Sequence, residues 1–368
     1  MKRLILLAAA LLLTGCSAVT QIEGQAFAVS LAVDEAEDGG VVLSVRFPSY
    51  GAQEGEAEGG GYLLTSAAGR DFASALYALN AAIPRALNLT QVKSLIVSEK
   101  LASSAAFPAL LRDLKLSRLD GEASLIVSRG EANALLEAQQ PLIGLRLSDT
   151  LVTEMERYRR LGCIPRSTLA EVFYDAESVY SDPVAILAAV VPKESGASGG
   201  QDVEKALAGD FMYDGENKDA YFGAALFRGG VMVGALTGGE TQLLQLARAG
   251  SGQMPMALDG AWLAVTRQGL PRVDVDMSGD ALRIAVSLTA GIEDLRGDAD
   301  LEAVRQELTA GLEALTRRCQ ALGVEPFGYA RWAAAQFLTL PQWTAFDWRA
   351  RFPEAEVTYH LTVKKTNE

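Results

Sequence analysis

The chain has 368 residues, 49% of them hydrophobic and 21% charged, with a formal net charge of −13. This composition excludes intrinsic disorder, and the acidic surplus excludes nucleic acid and electrostatic docking on anionic lipid, both of which demand a basic face. A single histidine, His360, removes the usual ligand of zinc sites and the usual proton carrier of acid/base catalysis.

Lys2 and Arg3 precede an unbroken apolar run over 4–13, and Leu13-Thr14-Gly15-Cys16 follows. The run is too short to cross a bilayer, which takes ~20 apolar residues as a helix, so it reads as a cleaved signal ending in a lipobox. Cys16 is the predicted lipidation site. A thiol can be made into a thioether to diacylglycerol, and the small residues before it open the bond to the peptidase. One acyl chain binds a membrane reversibly and two hold it firmly, so palmitate-class acylation of Cys16 predicts a membrane-surface resident. No later stretch reaches the ~18 continuous apolar residues of a membrane span, which places the rest outside the membrane.

Residues 1–15 are thus the signal and 16–24 a lipidated tether. Strand patterns over 26–33 and 41–47 flank an acidic, glycine-ended turn, and 51–61 is a glycine-rich loop. Helical patterns over 72–83, 101–116 and 130–140 alternate with strands over 92–97 and 123–127, which predicts a parallel α/β unit. Residues 169–174 read as helix, whereas 184–191 fits a buried strand or a helix equally. The serine- and glycine-rich stretch 192–205 is the expected linker between an N-terminal α/β region, 25–191, of one or two subdomains, and a C-terminal α+β domain, 206–368. In the latter, Gly229-Gly230 joins strands 220–228 and 231–236 as a hairpin, a helix covers 241–248, and three strands follow. Leu301, Val304, Leu308, Leu312, Leu315, Cys319 and Leu322 recur at helical spacing, with Asp298 or Asp300 to cap the start and Gly323 to end it. The strict alternation over 356–364 predicts a half-exposed antiparallel strand.

Catalytic candidates are few. Gly196-Ala197-Ser198-Gly199-Gly200 matches a nucleophile-elbow pattern, and Ser198, a later aspartate and His360 stand in hydrolase order. The motif needs a strand running straight into a tight turn, and here it lies in linker composition, while His360 falls on the polar face of a strand. Asp274, Asp276 and Asp280 would make a cation site or, more simply, a solvated face. Trp332, Trp343 and Trp348 form either core or an aromatic contact surface, and Cys163 and Cys319 read as buried thiols with a disulfide as the alternative. No catalytic residue, cofactor site or metal site is assigned.

Several segments, in order, resemble the Ger(x)C family, the lipoprotein C-subunits of spore germinant receptors. They are the lipobox followed by Gln21-Ile22-Glu23; the stretch from Gln91 to Ala102 with its Lys93 and Glu99; Gly130-Glu131-Ala132 after a strand; Gly223-Ala224-Ala225-Leu226-Phe227; and Pro326-Phe327-Gly328 ahead of Trp343, Trp348 and Phe352. Ser17-Ala18-Val19-Thr20 and Gln91 depart from the family's usual charged cluster and histidine. The resemblance implies a non-enzymatic, lipid-anchored subunit on the extracytoplasmic face of the spore inner membrane. Its partners would be two integral membrane subunits, A- and B-type, in nutrient-triggered germination of spores formed by sporulation. The expected fold is α+β, multi-domain, in three units of mixed or antiparallel sheet with packed helices. The competing readings are a solute-binding lipoprotein of a transporter and a surface hydrolase.

Overall fold

The computed structural model describes residues 22–37, 39–48, 62–140, 147–191, 202–210, 216–248, 252–279, 281–293 and 298–366. Chain order gives β1 (Gln25–Phe27), β2 (Ser30–Glu35), β3 (Val41–Pro48), β4 (Tyr62–Gly69), α1 (Phe72–Ala82), β5 (Ala86–Asn88) and β6 (Ser94–Ser98). Next come α2 (Glu99–Ala102), α3 (Phe107–Leu116), β7 (Ser124–Ser128), α4 (Ala132–Ala138), α5 (Leu147–Arg160), α6 (Leu169–Glu177) and β8 (Val184–Val190).

β6 and β7 share the pentapeptide Ser-Leu-Ile-Val-Ser and pair in register, Ser94 with Ser124 through Ser98 with Ser128. With β2 and β8 they form a run of four parallel strands. A parallel strand covered on both faces needs apolar residues throughout, which is why this stretch lacks polar alternation. Leu95 and Val97 face a core shared with α1, α3 and α6, while Ile96 faces one shared with α4 and α5. The single helix expected over 101–116 is broken at 103–106 into α2 and α3, with Pro108 in the first turn of α3, where its missing N–H costs nothing.

β9 (Asp219–Arg228) and β10 (Val231–Leu236) form the expected hairpin and continue the same sheet, giving the order β10-β9-β8-β7-β6-β2-β3-β4. Strands on either side of the stretch expected as a linker, 192–205, therefore pair directly, β8 with β9. At this seam Phe222 and Gly223 of β9 together oppose Leu187 of β8. Such a two-against-one bulge turns one N–H out of the ladder, and the Gly223 N–H donates to the Cys163 carbonyl at 2.8 Å.

The second body opens with α7 (Gly238–Ala247) and holds β11 (Gln253–Leu258), β12 (Ala261–Arg267), β13 (Arg272–Asp276) and β14 (Arg283–Glu293) in the order β11-β12-β14-β13. α8 (Leu301–Leu322) follows with the predicted bounds. Asp300 accepts from the Glu302 N–H at 2.9 Å, Gly323 ends the helix in the left-handed region, and Glu313 meets Arg317 at 3.7 Å. Its buried stripe, Val304, Leu308, Leu312, Leu315 and Cys319, packs beneath the sheet. After α9 (Ala330–Ala334), α10 (Leu340–Phe346) and α11 (Trp348–Arg351), β15 (Glu356–Lys365) pairs with β14. That pairing is parallel, which corrects the antiparallel expectation. The alternation reported a half-covered face faithfully, with Tyr359 and Leu361 buried and His360 exposed, but strand direction is set by the connection. A strand leaving through a helix that packs on the same sheet returns parallel.

The α6 start illustrates the local chemistry. Thr168 and Glu171 form a reciprocal capping box, each side chain serving the other's backbone N–H. Thr168→Ala is expected to cost about 1 kcal/mol of unfolding free energy in a urea titration, with no change in the transition slope.

Candidate functional site

Asp182, just before β8, and Glu325, just after α8, join the two bodies. The Asp182 N–H donates to the Glu325 carbonyl and the Glu325 N–H donates to Asp182 Oδ2, both at 2.8 Å. Asp182 Oδ1 faces the Arg349 guanidinium at 3.1 Å, near enough for an ion pair but without hydrogen-bond alignment. Glu325 Oε1 accepts from the N–H groups of Gly328 and Tyr329, at 2.8 and 3.2 Å, whereas Oε2 is buried with no hydrogen-bond partner. Burial pushes the Glu325 carboxyl up to about 8, the nearby Asp182 charge adding to it and the two N–H donors opposing it. Asp182 is raised for the same leading reason. Beside them the Tyr359 hydroxyl lies 2.7 Å from Thr316 Oγ1 and 2.9 Å from the Tyr329 hydroxyl, closing a buried polar chain.

From this joint a cleft of about 990 Å³ opens between α5, α6, the end of α7 and the segment 327–332. Asp175 on α6 is buried in its wall and accepts from the Ser181 hydroxyl. Two guanidinium groups converge on this one carboxylate, Arg248 at 3.4 Å and Arg331 at 3.7 Å. Arg331 also lies 5.8 Å from the centroid of the Tyr174 ring, within cation–π range. Arg166, on the same cleft, is held by Glu122 at 3.7 Å and Glu171 at 3.1 Å. Arg159 and Arg160, at the end of α5, have no carboxylate partner among the described residues.

Of the residues singled out from the sequence, only Trp332 and the Phe327-Gly328 pair come to this site. Cys16, Ser198 and Asp280 lie outside the described residues. His360 points to solvent on β15. Cys163 and Cys319 are free and buried, and burial pushes both thiols up to about 12, which keeps them protonated and unreactive at neutral pH. Asp274 and Asp276 are exposed on β13 and lie beside Arg272 and Arg283, at 3.2 and 3.9 Å. Among the described residues no group of His, Cys, Asp and Glu side chains is disposed to hold a metal ion. Of the tryptophans, Trp343 and Trp348 are core, packed on Phe337, Phe346 and Phe352, while Trp332 is partly exposed at the cleft. Asp175, Asp182 and Glu325 escaped the sequence reading because nothing local marks an acid as buried.

Residues 19–190 match the family described as "Spore germination protein N-terminal domain", and residues 222–367 match "Spore germination B3/GerAC like, C-terminal". A curated relative, "Putative spore germination protein YfkR" of Bacillus subtilis (strain 168), is 28% identical over 199 residues, 51% of this chain and 50% of the relative. The chain thus spans about half the length of the curated relative it matches. A solved structure, "Crystal Structure of the GerBC protein", superposes with a TM-score of 0.50 over 95% of this chain and 100% of that one, at 16% identity. At that identity the likeness concerns the fold, and it agrees with an α+β chain of more than one domain. With both halves matched in order, the chain belongs to the GerAC-like family of spore germination proteins.

Proposed function

We propose that the protein is the lipid-anchored, non-enzymatic subunit of a spore germinant receptor complex. In this reading acyl chains on Cys16 hold it, through the tether 16–24, on the extracytoplasmic face of the spore inner membrane. There it works with two integral membrane subunits of A and B type in nutrient-triggered germination. The observation that carries the reading is the match of both halves to one family of spore germination proteins, downstream of Leu13-Thr14-Gly15-Cys16. No helix among the described residues is long and apolar enough to cross a membrane. Anchoring confines the chain to a surface and raises its effective concentration near membrane partners without any new contact.

Growth with a clickable fatty acid is expected to label the parent chain and leave Cys16→Ala unlabelled, with the variant moving to the soluble fraction. Detergent extraction of tagged parent from spores is expected to bring down two polytopic membrane proteins. Equal labelling of the variant would remove the anchor. Recovery as a monomer with tight affinity for a sugar or amino acid would instead favour a solute-binding lipoprotein.

A further inference from the structure

The junction cleft combines two features that a merely structural groove does not need. Its charge is unbalanced at one end: Arg248 and Arg331 share the single carboxylate of Asp175, and Arg159 and Arg160 sit beside them. The acids of the rim offset part of this: Arg166 is shared by Glu122 and Glu171, and Glu156 stands on α5 one turn before Arg159 and Arg160. Arg159, Arg160, Arg166, Arg248 and Arg331 thus meet four carboxylates, so the lining carries one net positive charge on a chain of net charge −13. The second feature is apolar. Leu270 is 80% exposed, Tyr174 55% and Trp332 38%, and all three line this same cleft. Large apolar side chains converging on one concavity mark a contact site rather than scattered surface residues.

We propose that this cleft is the docking groove for an acidic segment of a partner polypeptide, one that presents carboxylates to Arg331, Arg248 and Arg160 and an apolar side chain to Trp332, Tyr174 and Leu270. Charge complementarity selects the occupant: guanidinium groups pair with carboxylates through two parallel N–H donors, and aromatic and arginine side chains are the usual anchors of such contacts. A small anion would satisfy the arginines but leave Leu270 and Trp332 in water, whereas a polypeptide segment covers both within about 990 Å³. The groove lies where Asp182 and Glu325 join the two bodies, so an occupant touches α6 of the first and Arg331 of the second at once. The proposal deepens the reading of the chain as an interaction subunit, and its test does not pass through the anchor or the spore.

The test uses the full chain in detergent and two fluorescein-labelled peptides of equal length, one alternating glutamate with leucine and one alternating lysine with leucine. Fluorescence anisotropy should report saturable binding of the glutamate peptide, weakening as sodium chloride rises, and none of the lysine peptide. Arg331→Gln and Trp332→Ala, both at partly exposed positions, should each weaken binding by about tenfold or more, while Arg351→Gln, outside the cleft, should leave it unchanged. Circular dichroism melts of the variants separate lost binding from lost folding. Absence of saturable binding overturns the proposal, as does unchanged affinity in both cleft variants. Full displacement by millimolar inorganic phosphate or citrate, with Trp332→Ala indistinguishable from the parent, would also overturn it in favour of a plain anion site. Absence of peptide binding by the parent chain alongside intact recovery of membrane partners would reject the groove and leave the receptor reading standing.

Discussion

Gly223→Ala is expected to lower the unfolding free energy by about 3 kcal/mol or more, and the melting temperature by roughly 4 °C or more. Gly223 is the bulged residue of β9 and has φ +96°, where a Cβ is strained whatever space surrounds it. Space is lacking too, because the new methyl would be driven into the carbonyl oxygen of Leu236 on the neighbouring strand. Backbone cannot yield as a flexible side chain can, so either the β9–β10 pairing opens or the bulge flattens and its N–H loses the Cys163 carbonyl. Gly229 supplies the internal comparison: it also has positive φ, +59°, but nothing stands within reach of a Cβ there. Gly229→Ala should cost only about 1 kcal/mol. Thermal melts of the two variants side by side would contradict this account if they lost equal stability.

A second large effect should appear in the pH dependence of stability. The folded-state carboxyl of Glu325 is raised to about 8, against an ordinary value near 4.5. Below that lower value both states hold the proton and the group is neutral in its effect. As pH climbs from about 4.5 to about 8 the unfolded chain has released the proton that the folded chain retains, so stability falls through this window and then levels off. Asp182, also raised, contributes a loss of the same sign from a lower starting pH. The groups facing Glu325 are Asp182, Arg248, Tyr329, Tyr359 and Cys319; the Tyr329 and Gly328 N–H groups and the Arg248 charge favour its charged form, and burial with the Asp182 charge outweighs them. Glu325→Gln keeps an acceptor for the Gly328 and Tyr329 N–H groups and removes the titration. The variant should match or exceed the parent near pH 8 and show a flatter profile, the difference across the window being on the order of 3 kcal/mol. Urea midpoints of both proteins from about pH 5 to about pH 8.5 provide the measurement; a parent profile that is flat or rises would sink the assignment.

The chain was most readable where one physical requirement governs a segment. α8 is bounded by a side-chain cap and a left-handed glycine, and its stripe meets one sheet, so periodicity and capping gave its limits. β6 and β7 are buried on both faces and show it as unbroken apolar runs. Readability failed where the answer depends on distant partners. β4 has a largely exposed pattern and exists because β3 offers it an edge, and β11, with Pro255 inside it, forms on β12. α5 does carry a local signal, with Leu147, Leu151 and Met155 buried four residues apart. The pairing of β8 with β9 shows what composition leaves open: serine and glycine report a loop, and a loop can equally join neighbours in one sheet. The cleft was invisible for a related reason. Arg160, Asp175, Arg248, Leu270 and Arg331 come from five separate stretches, and no spacing between them carries a signal until the two bodies meet.

The parallel pairing of β14 with β15 also has a kinetic side. Arg283 and Glu356, which open that ladder, are 73 residues apart, and α8 packs against the ladder they begin. Closing so long a loop costs chain entropy before any strand contact repays it, and contacts of high sequence separation slow folding. Until β15 arrives, one edge of β14 stays unpaired and the apolar stripe of α8 lacks the cover of Tyr359 and Leu361. A chain emerging residue by residue should therefore complete the four parallel strands around β6 and β7 first, leaving the second sheet as the late, aggregation-prone step that a folding helper would have to shield.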